Sequence, residues 1–380
     1  MNEWKEYKLS DIADFNMGQS PESKFYNFEG IGLPFLQGNR TFGYKFPTFD
    51  TFCTDPKKIA NQGEILFSVR APVGDINIAY TDICIGRGLC SISLKNGNNL
   101  FLYYLLHFIK KEIINAESGT VFGSVNRNDL ENILIRIPES SEQIQIASIL
   151  SSLDDKIDLL HRQNKTLEQL AETLFRQWFV EEAENSWEEV SLSDIAIHFK
   201  QNVNPSKSPN AIFIHYSLPA FDDGKEPQKE IGKDILSGKY HVVSNSVLIS
   251  KLNPRTPRIW GLFGSIDEEN AICSTEFQIV KPKDIKWYCF IYCYLKSYKV
   301  AQELKGAASG TSGSHQRVNP QDIFNLTFRK PPKRLVDKFD DETKDSFQKI
   351  KSNTKQIRTL TQLRDTLLPK LMSGEVRVKN

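Results

Sequence analysis

This 380-residue chain is written twice, and no other feature constrains its folding as strongly. LSDIA from Leu9 returns from Leu192, each copy shortly after a tryptophan, Trp4 and Trp187. VNRNDLENILIRIP (Val125–Pro138) returns as VNPQDIFNLTFRKP (Val318–Pro331), and LEQLAETL from Leu167 returns as LTQLRDTL from Leu360. The first pair is offset by 183 residues and the other two by 193, so the halves share their ends while their middles differ by about ten residues. A chain repeated in this way folds as two versions of one architecture.

Each middle carries short β-rich runs broken by Gly, Pro and Asn. They are GEILFSVRAP (63–72), DINIAY (75–80) and LCSISL (89–94) in the first half, and SVLISKLNP (246–254) and FQIV (277–280) in the second. Helical patterns accompany them at FLYYLLHFIKKEI and WYCFIYCYLKSY. The expectation is an α+β protein: two mixed, mainly-β globules in pseudo-two-fold repeat, at 1–138 and 184–331, each followed by a helical segment, at 139–183 and 332–380.

From Glu142 the first helical segment has no Gly or Pro through Phe179. A seam runs through Ile146, Leu150, Leu153, Ile157, Leu160, Asn164, Leu167, Ala171, Leu174 and Trp178, alternating steps of four and three. That spacing predicts a coiled coil, with Ser140 or Ser141 as N-cap and Glu142, Asp154 and Asp155 on polar faces. The second seam runs through Phe339, Thr343, Ser346, Ile350, Asn353, Ile357, Leu360, Arg364, Leu367 and Leu371. Laid antiparallel about a pseudo-two-fold axis, the helices would face Asn164 with Asn353, Ile157 with Leu360, Ile146 with Leu371 and Trp178 with Phe339. Polar meets polar and apolar meets apolar. A helix of about 37 residues spans about 55 Å, and globules held at its ends would sit about one to one and a half turns of duplex DNA apart at about 34 Å per turn.

Composition narrows the class. Hydrophobic and charged fractions of 39% and 25% are those of a globular protein with ample core. No apolar run reaches the length of a membrane span, and the amphipathic start MNEWKEYKLSDIADF lacks a signal-peptide core, so a cytoplasmic protein is expected. The six cysteines lack paired CxxC spacing and read as buried thiols rather than metal ligands. Net charge is only +1, so any nucleic-acid footprint must be local.

The repeated LSDIA opening, GEILFSVRAPVGD, and PESSEQIQIASILSSLDDKI running into LEQLAETLFRQWF together resemble the specificity subunit of type I restriction-modification systems (HsdS), over essentially the whole chain. The resemblance implies two target-recognition domains, each reading one half of a split, asymmetric DNA sequence, with two antiparallel helices setting the gap. It also implies double-stranded DNA, two modification (methyltransferase) subunits and restriction (motor and endonuclease) subunits as partners. No cofactor, metal or catalysis by the chain itself is implied. The residues agree with that last point, because NPPF or NPPY, GxxxxGK[ST] and HExxH are all missing. The second half departs from the first, with SKLNPRTP where the first has SVRAPVGD.

Base reading needs Arg, Lys, Asn or Gln on a surface that reaches a groove, and phosphate contact needs basic side chains, hydroxyls or free amides. Loops at strand ends supply them. The first-half candidates are Gln37, Asn39, Arg40, Ser68, Arg70 and Arg87, with Thr120, Ser124 and Asn126 in SGTVFGSVN. The second-half candidates are Tyr216, Lys251, Asn253, Arg255, Arg258 and Thr275, with Thr311, Ser314, His315, Gln316 and Arg317 in SGTSGSHQR. Lys57, Lys58, Lys225, Lys229 and Lys233 add charge that can track phosphates or simply face solvent. His315 has no second histidine at ligand spacing, and Asp222 and Asp223 beside Gly224 read as a turn without a nucleophile. The competing classes are a coiled-coil scaffold that binds proteins and a self-contained enzyme. Shared ends with unlike middles favour a DNA-reading adaptor, since partners need equivalent docking surfaces while two half-sites need different ones.

Overall fold

The computed structural model describes residues 4–115, 124–266, 269–307 and 316–378. Its chain divides into two compact units, one of residues 1–160 with 356–380 and the other of residues 161–355.

Among the described residues the first unit holds three sheets. Lys5–Lys8 pairs antiparallel with Leu134–Ile137, and Leu9 N–H donates to the Ile133 carbonyl at 2.8 Å, so the two repeated end motifs of this half close on each other. A four-stranded antiparallel sheet runs in the order Ala13–Met17, Leu89–Leu94, Ile65–Ser68, Ile76–Ile78. A five-stranded sheet orders Tyr26–Asn27, Phe52–Cys53, Leu33–Leu36, Ile83–Ile85 and Ile59–Ala60, with Leu33–Leu36 and Ile83–Ile85 parallel. The run ILFS is buried on both faces because successive side chains alternate across the sheet. Ile65 and Phe67 join a core with Phe101, Leu102 and Leu105 of the helix Asn99–Phe108. Leu66 points the other way, into a core with Ile83, Ile85 and Leu89.

The second unit repeats this plan. Glu189–Ser191 pairs with Thr327–Arg329, and the four-stranded order is Ala196–Phe199, Phe277–Pro282, Ser246–Ser250, Ile259–Leu262. The five-stranded order is Asn202–Val203, Lys239–His241, Ala271–Ser274, Ile212–Tyr216, Gln228–Ile231, again with one parallel pair at its centre. Val247 and Ile249 pack with the helix Tyr288–Lys296, while Leu248 joins the opposite core.

The repeated VN motif is a helix start. Val125 and Val318 are buried, while Asn126 caps Arg127–Glu131 by accepting from Asp129 N–H at 3.0 Å, and the Asp129 carboxylate accepts from Asn126 N–H at 2.9 Å. Asn319 caps Pro320–Phe324 in the same place.

The long helices run over Ser140–Arg176 and Lys333–Met372, the first continued by a π turn at Gln177–Glu181. Their seams meet in the expected antiparallel register. In the first unit Ile146 and Leu371 share one core, Ile157 is fully buried and Leu360 is half-buried. In the second, Asn353 Nδ2 donates to Asn164 Oδ1 at 2.9 Å, and the Trp178 and Phe339 rings lie 6.0 Å apart. The hydrogen-bonded Asn pair within the seam fixes register, since a slip would strand the amides.

Two seam flanks correct the expectation of polar faces. Glu142 is buried, and the Arg377 guanidinium donates to both its oxygens at 2.6 Å. Asp154 is 2% exposed and accepts from Tyr104 OH at 2.7 Å, Tyr44 OH at 2.9 Å and Arg364 Nη1 at 3.0 Å. A carboxylate is tolerable at such depth only when paired and hydrogen-bonded, and its partners come from segments remote in sequence. Phe347 and Ala171 stand at the repeat-equivalent places, 193 residues from Asp154 and Arg364, and there the second unit uses apolar packing against Tyr288 and Tyr292. All six cysteines are buried and free, and burial pushes the Cys90 thiol up to about 12.

Candidate nucleic-acid interface

In each unit three loops converge on one backbone residue. In the first, Val69 N–H donates to the Gly88 carbonyl at 2.9 Å and the Val69 carbonyl accepts from Val125 N–H at 3.1 Å. In the second, Lys251 N–H donates to the Glu276 carbonyl at 2.9 Å and the Lys251 carbonyl accepts from Val318 N–H at 2.9 Å. The end of a core strand thus gathers the turn between the two large sheets and the segment leading into the VN motif. Isolated bridges extend the match, Arg70 with Ser124 and Leu252 with Arg317. The serine closing each strand serves its own turn. Ser68 Oγ donates to the Pro72 carbonyl at 2.8 Å and accepts from Asp75 N–H at 2.9 Å, and Ser250 Oγ donates to the Leu252 carbonyl at 3.0 Å.

Around the first confluence, Arg70 and Arg87 are exposed and make no ion pair among the described residues. Ser20 ties the neighbouring turn together, its hydroxyl donating to Gln37 Oε1 at 2.9 Å and accepting from Arg87 N–H at 3.3 Å and Arg87 Nε at 3.4 Å. Small residues are required there. A Cβ on Gly86 would fall 2.7 Å from Gln37 Oε1, and one on Gly88 would fall 2.6 Å from the Gln37 carbonyl oxygen.

Around the second confluence, Lys251 is half-buried, Arg255 is exposed, and neither is ion-paired among the described residues. Asn253 holds a left-handed backbone (φ 53°) and donates its N–H to the Gln316 carbonyl at 2.9 Å, which brings the 316–317 segment to the strand end. Thr275 opens the two-residue turn that stands where Gly86–Gly88 stands in the first unit.

The remaining candidates are committed elsewhere. Ser68 is 1% exposed with its hydroxyl used inside the turn. Tyr216 is buried, edge-on to Trp260 at 4.9 Å. Asn39 Nδ2 donates to Asp75 Oδ2 at 2.6 Å, and the Asn126 side chain is a helix cap. Three arginines sit in ion pairs: Arg40 with Asp50 at 2.6 Å, Arg258 with Asp222 at 2.7 Å and Arg317 with Glu276 at 3.2 Å. Their side-chain hydrogen bonds hold the Asp50 and Asp222 carboxyls below the usual range. Lys57 binds Asp55 at 2.6 Å, and Lys225 lies against the Phe221 ring. Thr120, Thr311, Ser314 and His315 lie outside the described residues. Sequence reasoning missed Ser20, and also a lysine-lined hollow beside Thr275. The signal available for the hollow was HFKQNVNPSK, basic and amide-rich directly after the second LSDIA.

Among the described residues there is no grouping of three or more His, Cys, Asp or Glu placed to hold a metal ion, and no helix long and apolar enough to cross a membrane.

A family profile described as the type I restriction modification DNA specificity domain matches residues 1–169. The MjaIX type I restriction enzyme specificity subunit of Methanocaldococcus jannaschii is 25% identical over 421 aligned positions, covering 99% of this chain and 94% of that one. Residues 1–169 thus match the DNA specificity domain of type I restriction-modification systems, and nearly the whole chain is similar to a specificity subunit of such a system. A second M. jannaschii sequence, assigned as the MjaX specificity subunit, is 41% identical over 170 residues. That match spans 44% of this chain and 40% of the relative's length. The crystal structure of a type I S subunit from M. genitalium shares the specificity-subunit fold, with a TM-score of 0.63 at 18% identity, covering 97% and 96% of the two chains.

Proposed function

We propose that this chain is the DNA-reading subunit of its restriction-modification complex and performs no chemistry itself. Each globule reads one half of a split, asymmetric duplex target. The long helices set the gap between the halves and dock two methyltransferase subunits, and restriction subunits join the assembly. The supporting observation is the confluence built twice on the same backbone hydrogen bonds but dressed differently: Arg70, Arg87 and Gln37 in one unit, Lys251, Arg255 and Thr275 in the other. A shared frame with unlike donors suits two unlike half-sites, because guanidinium, amide and hydroxyl groups pair with different base edges. Among the sequence candidates these six, with Ser124 and Gln316 beside them, form the proposed contact set.

Competition binding tests this reading. The chain assembled with the methyltransferase subunits of its own system should prefer one duplex sequence over random duplex by about 10³-fold or more at physiological salt. Equal affinity for all duplexes, with the assembly intact, would leave the protein-binding scaffold as the better reading.

A further inference from the structure

The second unit contains a hollow of about 560 Å³. Its lining includes Lys200, Lys207 and Lys239 with Asn202, Asn204 and Thr275, and no carboxylate. Pairing of Asn202–Val203 with Lys239–His241 sets Val203 opposite Lys239, which carries the chain after Lys200 past Lys239. Lys207 N–H donates to the Asn204 carbonyl at 3.1 Å, and the resulting turn brings Lys207 to the rim. Thr275 sits on the wall, one residue from Glu276, whose carbonyl holds Lys251 at the confluence.

The electrostatics are one-sided. None of the three lysines is in an ion pair among the described residues. Lys239 is 7% exposed, and among the described residues its ammonium donates to neutral partners, the Ser237 hydroxyl at 2.6 Å and the Ser237 carbonyl at 3.1 Å. An ammonium at that depth without a counter-charge is costly, and burial pushes its pKa down against the opposing pull of Glu230. Lys200 lies 5.7 Å over the Tyr240 ring, a contact that leaves its hydrogen-bond donors free. An anion in the hollow would supply the missing charge, and the flanking amides and hydroxyl can donate to its oxygens. In the first unit Met17, Gln19 and Pro21 stand 183 residues before Lys200, Asn202 and Asn204, so that half has no cation where Lys200 stands.

We infer that this hollow clamps a backbone phosphate of the duplex beside the bases read at the second confluence, an assignment that rests on the DNA-reading function proposed above. The clamp holds the second half-site by charge and carries no base preference of its own.

The test uses the full chain in its methyltransferase assembly, with the two exposed lysines changed together, Lys200→Gln and Lys207→Gln. Duplex affinity is measured across a salt series for the preferred sequence and for random duplex. Loss of this phosphate contact should flatten the slope of log affinity against log salt by about one. Both duplexes should bind about ten-fold more weakly at physiological salt, with the preference ratio unchanged. An unchanged slope and affinity, with the wild-type assembly still sequence-specific, overturns the phosphate clamp alone, as does a lost preference at constant slope. A wild-type assembly with no sequence preference overturns the parent reading instead.

Discussion

Arg364→Ala should destabilise the first unit by about 3–5 kcal/mol, the cost of leaving a buried carboxylate without its cation. Asp154 keeps two tyrosine hydroxyls after that change but no positive charge, and its side chain is 3% exposed. Urea unfolding read by hydrogen exchange across the helix Asn99–Phe108, which carries Tyr104, would report the loss locally. A change below about 1 kcal/mol would mean that the pair behaves like a solvent-screened surface bridge. The repeat supplies a control. Asp154→Phe combined with Arg364→Ala copies Phe347 and Ala171 of the second half and should lose less than Arg364→Ala alone, because apolar replacement of a buried ion pair is often near neutral. Tyr104, 1% exposed, would keep a stranded hydroxyl, so recovery should be incomplete.

Arg70→Ala should weaken specific binding by about 1–3 kcal/mol and relax the preference in one half of the target only. Arg70 is exposed at the first confluence with no carboxylate holding it among the described residues, whereas Arg40, Arg258 and Arg317 would each have to leave an acid before reading a base. Competition binding with duplexes altered in either half separates the outcomes. Unchanged binding to both removes Arg70 from the contact set, and equal loss on every sequence makes it a phosphate contact.

The helical part of the fold was legible because it is local and periodic. Steps of four and three bury one face of a helix, and the repeat offset combined with an antiparallel pseudo-two-fold arrangement placed Asn164 opposite Asn353. Asp154 escaped that reading: its heptad position looks polar, and only folding brings Tyr44, Tyr104 and Arg364 to it. The candidate interface was half legible for the same reason. Arg70, Arg87, Lys251 and Arg255 sit in turns whose composition announces exposure. Ser68 and Tyr216 look similar in sequence, yet one ends a strand buried on both faces and the other packs against Trp260. The confluence itself depends on pairings such as Val69 with Val125 and Lys251 with Val318, which no local pattern encodes. The VN motif, prominent in the text, proves to be a buried valine and a capping asparagine that fix where the gathered segment ends.

The central claim is that one chain reads two unlike half-sites, and mapping methylated adenines tests it most directly. Cells carrying the system's methyltransferase subunits would be compared with and without this chain. The expected result is a split motif of two unlike half-sites at one fixed gap, present only with the chain. A continuous motif, or the same methylation without the chain, would contradict the account.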